Sequence, residues 1–173
     1  LSPRTLDFVC GHGEILSAAI IAAYFRHRKV KAGFLDARDV VRTDEEFGSA
    51  RVDFSVTNRN IRNYFRSTKN DVTIVTGFVA ATANMETTTL GRGGSDYTAA
   101  IFGAALQANE IQIWTDVDGV LTADPRKVRK AFTVPVMTYR EAMEMSHFGA
   151  KVIHPPTIVP ALAKGIPLRI KNS

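Results

Sequence analysis

The sequence holds one cysteine, Cys10, in 173 residues. An intrachain disulfide is therefore impossible and a four-cysteine zinc site is excluded. His147 and His154 share no metal-ligand spacing with other candidate ligands, so no metal residues are assigned. No apolar run approaches the ~20 residues that a membrane helix needs. The best stretch, Ile15 to Phe25, stops at Arg26. Leu1 to Asp7 carry no signal-peptide pattern. No Gly-Lys-[Ser/Thr] occurs, so there is no Walker A loop. Gly11-His12-Gly13 is not a dinucleotide fingerprint either, because Leu16 stands at its third glycine position. No dense basic run is interleaved with aromatics, as a nucleic-acid platform would require. The expectation is a soluble cytoplasmic protein with neither nucleic acid nor membrane as partner.

What is present reads as an ordinary globular chain. Apolar residues make up 45% and charged residues 23%, enough to bury a core within one domain, residues 1–173. Lys and Arg number 22 against 17 Asp and Glu, a net charge of +5. The densest basic group, Arg26, His27, Arg28, Lys29 and Lys31, closes an apparent helix, where cations suit the C-terminal dipole. A phosphate-binding patch is the alternative.

Ile15 to Arg28 predicts a largely buried helix, with no clear element before it. Val30 to Leu35 predicts a short strand. Asp36 to Val52 reads as loop with perhaps one short strand. Asn58 to Phe65 spaces its apolar residues as a helix does, and Asp71 to Val75 is a β-branched strand. Ala80 to Asp96 is small and hydroxylated, ending in three glycines. Tyr97 to Asn109 predicts a helix, Glu110 to Thr115 a strand, and Asp118-Gly119 a two-residue turn between apolar runs. Tyr139 to Ser146 and Thr157 to Ala163 are helical, with Pro155-Pro156 dividing them, and Ile166 to Ile170 closes as a strand. Such alternation predicts an α/β fold with an open, mainly parallel sheet between helices. Ligands then sit near strand carboxyl ends and helix N-termini.

Gly91-Arg92-Gly93-Gly94-Ser95-Asp96 is the first candidate site. Its glycines permit close backbone approach, and Ser95 is placed to cap the helix that follows. Free N–H groups of a first turn favour an anion, and the Arg92 guanidinium matches a carboxylate or phosphate. Asp96 suits an ammonium, so the pair could hold both ends of an amino acid. A capped, flexible turn is the plainer reading. Glu14 follows Gly13 near the expected start of the first helix, where a carboxylate is also favourable for the dipole alone. Asp116, Asp118 and Asp124 lack the calcium-loop series but could meet Mg²⁺ that arrives with phosphates. Arg126 and Lys151 are candidate phosphate contacts, equally at home as surface cations. Phe78 could wall a small pocket or fill the core. Cys10 reads as buried rather than as a nucleophile.

The run Thr87-Thr88-Thr89-Leu90-Gly91-Arg92-Gly93-Gly94-Ser95-Asp96-Tyr97-Thr98-Ala99-Ala100 resembles the signature of the aspartate kinases. The likeness continues through Ile113 to Val120, Asp124-Pro125-Arg126, Glu141-Ala142, Phe148 to Pro155 and Ile170-Lys171-Asn172, and upstream at Gly13-Glu14 with Leu16-Ser17-Ala18. It implies the three-layer amino-acid-kinase fold and transfer of the ATP γ-phosphoryl group to the side-chain carboxylate of L-aspartate. The product is 4-phospho-L-aspartate, the entry to threonine, methionine and lysine synthesis. It further implies that Arg92 binds a substrate carboxylate, that Glu14 and Asp96 face the ammonium, and that Ser95 and Phe78 line the aspartate pocket. Thr115, Asp116, Gly119, Arg126 and Lys151 would serve ATP and its Mg²⁺. Such a transfer rests on positioning and charge neutralisation, not on a covalent nucleophile. A homo-oligomer is the expected assembly.

Other readings are a relative acting on glutamate, carbamate or a nucleotide monophosphate, and a non-catalytic stretch that only binds nucleotide. Two departures bear on this. Met85 stands where the family usually has glycine. The family's Lys-Phe-Gly-Gly-Thr-Ser strand, whose lysine meets the phosphates, and its regulatory domains are both missing from the 173 residues. Even one oxyanion donor is worth about 3 kcal/mol of transition-state stabilisation. We therefore expect weak or no turnover from these residues alone. A coupled ADP-release assay at an ordinary aspartate kinase rate would refute this.

Overall fold

The computed structural model describes residues 1–117, 119–123, 127–147 and 155–173. The chain opens on a helix, α1 (Pro3–His27). Strand β1 (Ala32–Leu35), a 3-10 turn (Ala37–Asp39) and strand β2 (Arg42–Thr43) precede α2 (Phe54–Ser67). Then come β3 (Val72–Val75), β4 (Val79–Thr82), β5 (Thr87–Thr89), α3 (Gly94–Leu106) and β6 (Ile111–Thr115). The order closes with α4 (Tyr139–His147), α5 (Pro155–Leu162) and β7 (Leu168–Asn172).

Strand β1 pairs with β3, β2 with β4 and β6 with β7, all parallel, while β4 and β5 form an antiparallel hairpin. This is the mainly parallel αβα arrangement that the alternation predicts. Helix α1 lies along β1, β3 and β5, while α3 packs on α2, α5 and β6. One apolar cluster gathers Leu35, Val41, Ile61, Val79, Ile101 and Phe102; a second gathers Ala100, Ile111, Ala161 and Ile166.

Helix α1 departs most from expectation. It begins twelve residues before Ile15 because Ser2 accepts a hydrogen bond from the Thr5 N–H (3.2 Å) and Pro3 enters with its φ already helical. Gly13 and Glu14 consequently lie in mid-helix rather than at its start. Only Asp7, Gly11, Ala18 and Ala22 are buried, so the helix is not largely buried; Leu16, Ile20 and Tyr24 are among those left exposed. Its small residues face the strands and its large ones face outward. Cys10 is exposed as well. By length and composition α1 could cross a membrane, which corrects the expectation that no such segment exists.

The stretch after Ala80 is not plain loop. It supplies β4 and β5, whose residues Val79–Thr82 and Thr87–Thr89 are all buried. The hairpin turn places Met85 at φ 63, left-handed backbone that glycine adopts without cost. Gly119 also turns, at φ 126, but the segment after it bridges Leu121 to Thr133 instead of folding back on β6 as the expected two-residue hairpin.

Gly11 sets how closely α1 approaches the sheet. A Cβ there would lie 2.7 Å from Cγ1 of Val79, a fully buried, χ1-restricted side chain. Gly11→Ala is expected to destabilise by about 1–3 kcal/mol, the usual cost of overpacking. Thermal unfolding followed by circular dichroism would read this as a lowered Tm.

Candidate active site

The corner between β3 and β4 is Thr76-Gly77-Phe78. Thr76 is fully buried and its hydroxyl accepts from the Ala37 N–H (2.7 Å), which fixes the corner to the 3-10 turn. Phe78 takes φ 66, an uncommon conformation for a bulky side chain, with a typical cost of about 1–3 kcal/mol. Three contacts hold it. Its N–H donates to Thr98 Oγ1 (3.0 Å), Thr98 in turn donates to the Gly94 carbonyl, and the Phe78 carbonyl accepts from the Leu90 N–H. The ring lies over the first turn of α3: a Cβ on Gly94 would meet it at 2.7 Å. Gly77 is equally crowded, because a Cβ there would lie 2.9 Å from both Cβ and Oγ of Ser95.

Ser95 is therefore not the helix cap. Gly93 takes that position in left-handed backbone (φ 70), and no side chain caps the turn. Two successive glycines allow the chain to enter the helix three residues before Tyr97, displacing the predicted start. The first-turn N–H groups are thus offered to the loop region rather than spent on a serine hydroxyl. Arg92 is exposed, and among the described residues it forms no ion pair. Asp96 lies half-buried in that first turn, and the burial raises its carboxyl above the usual range. Its charge is poorly solvated and suits a cation supplied from outside.

Glu14 is half-buried in the middle of α1. Among the described residues no hydrogen bond or ion pair joins it to Arg92, Ser95 or Asp96. Thr115 ends β6, donating to the exposed Asp116 carboxylate at 3.2 Å. Gly119 is buried and lines a cavity of about 520 Å³ bounded by Val134, Tyr139, Leu168, Arg169 and Lys171. Arg92, Ser95, Asp96 and Phe78 do not line that cavity, so the candidate residues fall into two groups, one at each site. Asp118, Asp124, Arg126 and Lys151 lie outside the described residues. No group of three or more His, Cys, Asp or Glu among the described residues gathers to hold a metal. One exposed carboxylate at the end of β6 fits a Mg²⁺ that arrives already bound to phosphates.

Several anchoring residues carry no motif that sequence reading could use. Arg38 grips Asp36 through two nitrogens and also reaches Thr87 Oγ1 (3.1 Å). Thr88 shares a hydrogen with Thr43 (2.8 Å), and Thr89 donates to Asp7 (2.7 Å). Each of the three threonines of β5 is tied to a different element.

The amino acid kinase family pattern matches residues 1–172. The chain belongs to that family. Among its relatives is the lysine-sensitive aspartokinase 3 of Escherichia coli (strain K12), 40% identical over 173 residues, covering 99% of this chain and 38% of the relative. Bifunctional aspartokinase/homoserine dehydrogenase 2, chloroplastic, of Arabidopsis thaliana is 42% identical over 167 residues, covering 96% of this chain and 18% of the relative. The crystal structure of E. coli aspartokinase III in complex with aspartate and ADP (R-state) superposes with a TM-score of 0.92 at 40% identity, over 99% of this chain and 38% of that one. This amino acid kinase family member thus spans well under half the length of these relatives. Uridylate kinase from Archaeoglobus fulgidus, at 17% identity and a TM-score of 0.64, shares the fold.

The raised Asp96 carboxyl predicts a pH signature. An acid whose folded pKa exceeds its unfolded value costs stability once ionised. That cost grows as pH rises through the unfolded value and is complete above the folded one. Asp96→Asn should therefore raise Tm near neutral pH, and the gain should vanish in acid, where the parent carboxyl is protonated. Melting curves across pH 3 to 8 would decide; a variant equally or less stable throughout would contradict the assigned environment.

Proposed function

We propose that this chain is the aspartate- and nucleotide-binding region of an aspartate kinase, which transfers the ATP γ-phosphoryl group to the side-chain carboxylate of L-aspartate. The observation that carries the reading is 40% identity across 99% of the chain to a structure solved with aspartate and ADP. The physical chemistry agrees with it. Arg92 offers a planar fork for a carboxylate, and Asp96 offers a desolvated carboxyl for the ammonium at the opposite pole. Phe78 and Ser95 hold the wall behind them. Glu14 serves as the second acid toward the ammonium.

On the nucleotide side, Thr115, Asp116 and Gly119 supply the end of β6 and the turn after it, joined by Arg126 and Lys151. ATP enters with Mg²⁺, which neutralises phosphate charge; the chain's part is to hold the two substrates in line and exclude water. The product, 4-phospho-L-aspartate, feeds threonine, methionine and lysine synthesis. We further place the protein in the cytoplasm as a homo-oligomer. The exposed apolar side of α1 supports association, and the exposed, unpaired Cys10 suits a reducing compartment. We read α1 as a sheet-covering helix because Asp7, inside it, is buried against β5. Nucleic acid has no place in this reading. A kinase of glutamate or of a nucleotide monophosphate is the second reading, favoured by the fold shared with uridylate kinase.

Calorimetry tests both. L-aspartate and ADP should each release heat on binding, and L-glutamate and UMP should not; the reverse pattern would favour the second reading, and silence with all four would sink both. Arg92→Ala should abolish aspartate binding, a loss of at least about tenfold given one charged contact worth about 1.5–3 kcal/mol. Its ADP affinity should be unchanged.

A further inference from the structure

We propose that Asp7 is a positioning residue for the substrate loop: its buried carboxylate, on α1, fixes the backbone that presents Arg92. The proposal rests on the reading of Gly91–Asp96 as the aspartate site. Asp7 is 4% exposed. Among the described residues it has no cationic partner, and a buried carboxylate in that state is expensive unless its oxygens are filled by donors. Oδ2 accepts from the Gly48 N–H (2.8 Å) and from the Thr89 N–H (3.0 Å), and Oδ1 accepts from the Thr89 hydroxyl (2.7 Å). A carboxylate is suited to this because both oxygens accept.

The two partners are the two strips of backbone that bracket the loop. Thr89 stands two residues before Gly91 and three before Arg92. Gly48 belongs to the segment on which Gly91 rests: a Cβ at Gly91 would lie 3.2 Å from the Gly48 carbonyl and 3.2 Å from Ser49 Oγ. A further bond, Ala50 N–H to the Thr89 carbonyl (2.9 Å), runs alongside. Gly91 itself is at φ 72. One acid therefore ties α1 to both sides of the turn from which Arg92 projects. Arg92, exposed and without an ion pair, has no such tether of its own. The position of its backbone is set by what holds Thr89 and Gly48.

The test uses Asp7→Ala, Asp7→Asn, Thr89→Val and Thr89→Ser in the same chain, with three readouts. These are hydrogen exchange at residues 89–94, the rate of tryptic cleavage after Arg92, and calorimetric affinity for L-aspartate and for ADP. Asp7→Ala should speed exchange and cleavage at the loop at least tenfold and weaken aspartate binding about tenfold, with ADP affinity within twofold. Asp7→Asn keeps an acceptor for the two N–H groups and should recover most of both effects. Thr89→Val should fall between, and Thr89→Ser should match the parent. Loop exchange and cleavage unchanged in folded Asp7→Ala, or in Thr89→Val should Asp7→Ala not fold, would overturn the proposal. So would equal loss of aspartate and ADP affinity, the mark of general destabilisation. A loop that loosens in a chain that binds no aspartate at all supports the anchor and defeats only the substrate reading.

Discussion

The close approach of the β3–β4 corner to the first turn of α3 governs the candidate site. It exists because Gly77 and Gly94 have no side chains. With a Cβ at either, backbone or ring atoms would have to move, since Ser95 lies 2.9 Å from one position and Phe78 2.7 Å from the other. That contact in turn holds Phe78 in left-handed backbone and sets where α3 begins. The strain at Phe78 is sustained by bonds to Thr98 and Leu90, so corner, loop and helix form one interlocked unit.

The charges at this unit are arranged unequally. The two acids, Asp7 and Asp96, are buried or half-buried, whereas the guanidinium of Arg92 stands in solvent. Asp7 has its oxygens filled by backbone and hydroxyl donors, so its role within the chain is complete. Asp96 has burial raising its carboxyl and no such donors to compensate. Of the two, it is the one whose electrostatics are improved by a ligand.

The sequence made the strand–helix alternation plain because β3, β6 and α3 are short, compositionally pure segments. It also made the glycine-rich loop plain, since three glycines around an arginine have few structural uses. It misplaced α1 because the only start signals, Ser2 and Pro3, precede apolar residues interrupted by Asp7, Gly11 and Gly13, which look like loop until a sheet is set against them. Glu14 was misplaced with it. Ser95 looked like a cap because hydroxyl residues favour that position, yet Gly93 can adopt the left-handed turn that takes the cap one step earlier. The threonines of β5 drew notice as a motif but not as strand, since their partners, Asp7, Arg38 and Thr43, are from 45 to 82 residues away. Long-range pairing of that kind leaves no local trace.

Helix α3 contributes adjacent residues to both apolar clusters: Ile101 and Phe102 enter one, Ala100 the other. Its small side chains let α5 pack against it on one side and α2 on the other. The helix that carries Asp96 at its head is thereby an axle shared by both halves of the chain. Any tilt of one half about that axle is delivered to the mouth of the glycine loop without an intervening hinge.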